Sequence, residues 1–502
     1  MRGTSVAIFC TGHISSKADA PRWMRSWKEQ MMIGPPKRTY QRTGASVAIC
    51  LILLAIDCAS AKAQLLQPQP PPRILNLDDG HGILQGMSEG DAERLNAIRG
   101  KPLPSYLLDF ANAAYFRTLF QLKRSSDYAK KCYGYGMQPD VLAKNPVIAT
   151  ACGQLLAGNF SMQGDVAHWA KIIVATKRAV VPVVQRLTGR TDVVPGGFEG
   201  VPADPFIDTV APHGVRLATD VNVPRIDADN LQKVTGLDAR RSSLVDAYLV
   251  MVRINGADRA MVLDTGSSIS MLRPSTAHAL HIKVNPSPYL RLRGGRTIPV
   301  RPTSASVERG DVLLGVADRM QLGTGSKIIS LTDVPVAIGG NFDVLGLGVL
   351  SRLGSLYITS KSVQINAKQT PAACGQPLEI ASNLLGAYIP LLMYTVDGVK
   401  QRVAFDSGST TYLTGTSSAP TTHQVAAAVT QRRVDIAGLY EDRYVPVRVT
   451  MGSGSSMHTQ DIKVFPSHRA GYRYVLGVKA LKDFNVLLDF KDREACLEHR
   501  GG

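Results

Sequence analysis

From about Ser88 to Arg186 the apolar residues recur at helical steps. Leu108, Ala111, Tyr115, Leu119 and Leu122 fall three or four positions apart, which predicts one buried helix face. Leu155, Leu156, Ala157 and Phe160 run into Gly164-Asp165, with Ala167, Trp169 and Ala170 beyond, so a helix, a tight turn and a second helix are expected there. After residue 240 the pattern changes to short Val/Leu/Ile runs broken by Gly, Asn, Asp and Ser, the texture of an all-β region. Residues 190–240 hold Pro195-Gly196-Gly197, Pro202, Pro205 and Pro212 without periodicity and read as a linker. The expected layout is a helical domain at 64–189 behind a Gln/Pro tether (Gln67 to Pro72), the linker, and two β lobes at 241–370 and 371–502.

The β half repeats itself. Ala247-Tyr248-Leu249 opens a strand that reaches the turn signal Asn255-Gly256, and the return strand delivers Asp264-Thr265-Gly266-Ser267-Ser268. Ala387-Tyr388-Ile389 opens a second strand that reaches Asp397-Gly398, and its return delivers Asp406-Ser407-Gly408-Ser409-Thr410. Each copy then carries an apolar-Gly signature, Val344-Leu345-Gly346 and Val475-Leu476-Gly477. Apolar residues stand directly before both Asp, which an exposed Asp-Gly turn would not need.

These paired motifs resemble those of the aspartic proteases of the pepsin and retropepsin class, over roughly residues 245–500. The resemblance implies a mainly β, two-lobed acid-protease fold, preceded here by the α-helical domain. It also implies an aspartic-type endopeptidase with Asp264 and Asp406 as its catalytic pair. The chemistry suits the residue types. One carboxylate activates water while a second, protonated carboxyl donates to the substrate carbonyl, so neither a metal nor a covalent intermediate is needed. Gly266 and Gly408 are expected to permit the tight turns that aim backbone N–H groups at the carboxylates. By the same resemblance Thr265 and Ser407 tie the two loops together, Ser267 and Ser409 bond the outer carboxylate oxygens, and the Val-Leu-Gly strands pass beneath. Flap candidates are Arg293-Gly294-Gly295-Arg296 in the first copy, and Gly438 and Tyr440 in the second. One chain then supplies a whole site, active as a monomer on a peptide or protein substrate. The alternative is an inactive binding protein on the same fold that docks a partner through its helical region. The helix-turn-helix near Gly164 resembles one tetratricopeptide-type unit, with a plain helical bundle as the other reading.

The N-terminal segment predicts export. Residues 31–63 have the parts of a secretory signal: basic Lys37, Arg38 and Arg42, an apolar run from Ala45 to Ile56, and Ala61-Lys62-Ala63. Residues 1–63 are therefore expected as an extension plus signal, cut after Ala63, with periplasmic or secreted residence and no membrane anchor. Four cysteines follow the cut, Cys132, Cys152, Cys374 and Cys496. Pairing within each region, Cys132–Cys152 and Cys374–Cys496, avoids tying domains across the linker. The 57 Lys and Arg outnumber the 40 Asp and Glu, giving a formal charge of +17. The basic residues are scattered without aromatic interleaving, so nucleic acid is not an expected partner. His278 and His281 lack a companion Glu at metalloprotease spacing, and Gly323 to Lys327 reads as a turn; no metal or cofactor is expected.

Overall fold

A computed structural model describes residues 77–195, 203, 207, 220–227, 246–284, 289–291, 297–299, 313–339, 341–366, 375–435, 438–452, 457–466, 468 and 470–500. The expected export signal lies outside these residues, and among them no helix is long and apolar enough to cross a membrane.

Among the described residues seven helices come first: α1 (Leu77–Glu89), α2 (Ala92–Arg99), α3 (Ser105–Thr118), α4 (Leu122–Gly136), α5 (Pro139–Lys144), α6 (Pro146–Met162) and α7 (Val166–Thr188). The Asp91 and Asp165 carboxylates cap α2 and α7 by accepting the N–H of Arg94 and His168. The expected stripe through Leu108, Leu119 and Leu122 does not lie on one helix. The left-handed Phe120 (φ 53°) ends α3, so Leu122 opens α4. Most of α3 is buried all round, from Phe110 to Thr118, because other helices and the β region both cover it. Cys132 in α4 and Cys152 in α6 form the expected disulfide, with Cα atoms 5.7 Å apart.

The first β unit contains β1 (Val221–Ile226), β2 (Leu249–Ile254), β3 (Ala257–Asp264), β4 (Met271–Leu272), β5 (Lys283–Val284), β6 (Tyr289–Arg291), β7 (Thr297–Pro299), β8 (Leu313–Thr324), β9 (Lys327–Ile338), β10 (Val344–Gly346), β11 (Ser355–Ile358) and β12 (Ser362–Ile365). The second contains β13 (Glu379–Ser382), β14 (Tyr388–Val396), β15 (Val399–Asp406), β16 (Leu413–Gly415), β17 (Val429–Asp435), β18 (Gly438–Met451), β19 (His458–Val464), β20 (Tyr474–Gly477), β21 (Phe484–Asp489) and β22 (Glu494–His499). Short helices α8 (Pro274–Ala279) and α9 (Leu347–Leu350) interrupt the first. β1 falls inside the stretch read as linker: Val221 and Val223 are buried in alternation with exposed Asn222 and Pro224, a period too short to stand out among the prolines.

The two units share one plan. In the first, β2-β3-β10-β4-β9-β8 closes on itself where β8 pairs back to β2. In the second, β14-β15-β20-β16-β19-β18 closes where β18 pairs with β14. Residues Asn255 and Gly256 both have positive φ, as do Asp397 and Gly398, so each opening hairpin turns in two residues as the sequence predicts. The stretch Gly323 to Lys327 is likewise the turn of a hairpin, β8–β9. Outside the barrels, β11 pairs antiparallel with β21, Leu356 against Leu488, and so joins the two units in one sheet.

The helical region is locked to the second unit through Arg117, whose side chain is fully buried. Its Nε donates to Asn159 Oδ1 (2.8 Å), its Nη1 to Asn383 O (2.6 Å), and its Nη2 to Leu155 O. Burial lowers its pKa to about 9, so the group stays ionised at neutral pH and its N–H groups need these acceptors. Beside it, a Cβ at Gly158 would strike the backbone of Leu384 and Gly386, so α6 packs backbone to backbone against the β13–β14 turn. Arg117→Ala should leave several buried carbonyls unpaired and cost about 3 kcal/mol. Thermal unfolding should show a lower Tm, and an unchanged Tm would refute this account of the docking.

Candidate active site

Each Asp of the repeat ends a strand that lies beside its own apolar-Gly strand. β10 runs parallel to β3 with Gly346 level with Asp264, and β20 runs parallel to β15 with Gly477 level with Asp406. A Cβ at Gly346 would strike the carbonyls of Ile269 and Ser267, and one at Gly477 those of Thr411 and Ser409. These glycines let the chain after each Asp fold back tightly over the neighbouring strand.

The two Asp loops then meet across the lobes. The Thr265 hydroxyl donates to Phe405 O (2.8 Å) and accepts the Ser407 N–H (3.0 Å). The Ser407 hydroxyl donates to Leu263 O (2.8 Å) and accepts the Thr265 N–H (3.0 Å). Both hydroxyls are fully buried, and each uses its donor and an acceptor on the opposite loop. Residues Gly266 and Gly408 donate their N–H to the carboxylate of their own loop, at 2.8 and 2.9 Å. Neither has a positive φ, so it is space as well as the turn that calls for glycine here. A Cβ at Gly266 would sit 2.5 Å from Asp406 Cγ, and one at Gly408 would strike the Asp264 carboxyl. Each glycine makes room for the carboxyl of the other lobe.

Two expectations fail. The Ser267 hydroxyl donates to Ile269 O (2.8 Å), and the Ser409 hydroxyl is hydrogen-bonded to Thr411 Oγ1 (2.9 Å). Each closes its own loop two residues on instead of bonding an outer carboxylate oxygen. The flap candidates Arg293, Gly294, Gly295 and Arg296 lie outside the described residues, although β6 and β7 on either side pair as a hairpin. Gly438 and Tyr440 open β18, opposite Asp435 and Arg433 of β17. Cys496 is disulfide-bonded, and Cys374, its expected partner, lies outside the described residues.

Other residues at the site had no clear sequence signal. Ser268 donates to Tyr388 O (3.1 Å) and accepts the Tyr388 N–H (2.7 Å), a further tie from the first loop to the second lobe. The Tyr388 hydroxyl reaches Leu347 O, and burial pushes its pKa well up. The Ala-Tyr that opens both copies was the available hint. Tyr472 is pushed up first by burial and then by the negative charge of Asp406, so a neutral phenol stands near that carboxylate. Asp343 is a buried carboxylate of another kind. It accepts from the Arg273 N–H (2.7 Å), Arg273 Nη2 (2.8 Å) and Thr276 Oγ1 (2.9 Å), which fixes the start of α8 beside β10.

Two carboxyls brought against each other's loops by a closed set of hydrogen bonds are the equipment of acid–base hydrolysis. Residues 250–340 match the family model described as aspartyl protease. No curated protein matches the chain. The match falls within the first barrel and ends before β10, and the second barrel repeats the first's strand plan and its Asp-to-Gly register.

The Thr265–Ser407 lattice generates a stability prediction. Thr265→Val keeps the side-chain volume but strands Phe405 O and Ser407 N–H in a buried site, and Ser407→Ala strands Leu263 O and Thr265 N–H. Each should cost about 2–4 kcal/mol. Urea unfolding should give similar losses for the two, and a loss below about 0.5 kcal/mol for either would refute the lattice as a fixed interlobe tie.

Proposed function

We propose that this protein is an exported aspartic endopeptidase that hydrolyses peptide bonds at an Asp264/Asp406 dyad, with both carboxyls supplied by one chain and activity as a monomer. The observation that carries the reading is the mutual fit of the two loops, in which the glycine after each motif Asp is pressed against the other lobe's carboxyl. The aspartyl-protease match over 250–340 supports it from the sequence side. Export is supported by the secretory pattern of residues 31–63 and by the Cys132–Cys152 disulfide.

In this reading one carboxylate takes a proton from water, whose oxygen attacks the scissile carbonyl carbon. The other carboxyl donates a proton to the carbonyl oxygen, and collapse of the tetrahedral intermediate breaks the C–N bond as the leaving nitrogen is protonated. Asp264 is buried and Asp406 half-buried, so the two carboxyls meet water unequally. Gly438 and Tyr440 of β18, with the segment between β6 and β7, are the proposed flaps over the substrate.

The test is cleavage of a denatured protein substrate by purified protein across pH. A carboxyl pair that must hold one proton works on the acid side, so an optimum between about 3 and 6 is expected, with little activity at pH 8. Asp264→Asn and Asp406→Asn should each abolish turnover, since one carboxyl cannot play both roles, while circular dichroism shows the fold retained. Wild-type cleavage rates in either variant would place the chemistry elsewhere. A folded wild type inert from about pH 2 to 8 would leave the fold as a binding scaffold.

A further inference from the structure

Beyond the Asp loops, a cavity of about 430 Å³ opens between the lobes, lined by Arg225, Asp246, Ser360, Tyr412, Lys479 and Lys482 among others. We propose that it binds a small, multiply charged oxyanion of the phosphate or polycarboxylate class. Three cations line it against two carboxylates, Asp246 in the lining and Asp483 beside the Tyr412 hydroxyl. Lys479 Nζ meets Asp246 Oδ2 at 2.9 Å, but both side chains are half exposed, and such a pair exchanges readily for an incoming anion. Arg225 is fixed by donating Nη2 to the carbonyls of Asp246 and Ala247 (3.3 and 3.1 Å), with its guanidinium over the Tyr248 ring. Lys482 lies over the ring of the buried Tyr412, 5.3 Å from its centre. Among the described residues neither Arg225 nor Lys482 is paired with a carboxylate.

The duplication supplies the independent argument. Gly346 and Gly477 are counterparts, so Lys479 stands where the first copy has Gly348, and Lys482 where it has Ser351. Tyr248 and Tyr388 are counterparts, so Asp246 stands where the second copy has Gly386. The groove around Gly386 and Gly348 is filled by the protein itself: the Gly158 backbone of α6 lies on Gly386, Phe120 packs on the Tyr388 ring, and α6 contacts α9. The equivalent groove on the other side carries charges in place of those glycines and stays open. A surface that only needed to be soluble would not gather three cations around one recess.

The site is joined to the second Asp loop by backbone. Val478 N–H donates to Ser409 O (2.8 Å), Lys479 N–H to Thr411 O (3.1 Å), and Gly477 N–H to Tyr412 O (2.8 Å). An anion held by Lys479 and Lys482 therefore steadies the loop that carries Asp406.

The experiment uses the full exported chain, with inorganic phosphate and citrate each titrated at constant ionic strength against sodium chloride. Calorimetry should report binding, and the melting temperature should rise with phosphate, with citrate or with both, the pattern showing which oxyanion fits. Lys479→Ala/Lys482→Ala should weaken binding by about tenfold or more. Lys123→Ala/Lys130→Ala, on the exposed helical face, should leave it unchanged. Lys482→Gln keeps length without charge and guards against a misfolded double variant; it too should weaken binding while melting normally without ligand. No response beyond chloride in the wild type, or equal binding in the double variant, overturns the proposal. Binding is read without turnover, so this result is separate from that of the peptidase test.

Discussion

The exchange of hydrogen bonds between Thr265 and Ser407 is the constraint on which the rest depends. Each loop completes the other, so neither Asp loop has its native partners unless both barrels are present and face each other. That requirement explains the local sequence. Hydroxyl residues follow each Asp because each must donate to a carbonyl and accept an N–H of the other loop. Glycine comes next because the opposite carboxyl occupies the place of a Cβ. The apolar residues before each Asp, Leu263 and Phe405, are buried and offer their carbonyls to the crossing hydroxyls. A buried donor with no acceptor costs more than a made hydrogen bond returns, so the lattice works as a specificity device as much as a source of stability.

Much of this was legible because it is periodic and local. The hairpin signals Asn255-Gly256 and Asp397-Gly398 state their backbone conformation outright, since two consecutive positive φ values favour such residues. The Val-Leu-Gly repeats marked the strands that lie beside each Asp. What the sequence concealed depends on tertiary partners. The hydroxyls of Ser267 and Ser409 have the same type and spacing whether they bond a carboxylate or close their own loop, and only the folded loop decides. β1 was hidden because its two buried valines are embedded among prolines and polar residues. The helix boundary at Phe120 was hidden because an unbroken apolar rhythm crosses it, and the break comes from a left-handed residue that sequence period does not report.

The helical region changes what the duplication can mean. Two copies of one barrel related by a pseudo-two-fold begin with two equivalent grooves between them. Arg117 and Gly158 commit one groove to the helices: a buried cation demands carbonyl acceptors that the β13–β14 turn supplies, and a glycine on α6 allows backbone contact with Gly386. The other groove has no such neighbour, and there the same positions hold Asp246, Lys479 and Lys482. Burial selects glycine and apolar residues where an element docks, and exposure permits charge where none does. The divergence between the copies therefore follows the asymmetry of what packs on them, while the loops at the pseudo-axis, where each copy is the other's partner, stay almost the same. Symmetry is kept at the centre, where the two Asp loops hydrogen-bond to each other, and given up at the flanks, where only one groove receives the helices.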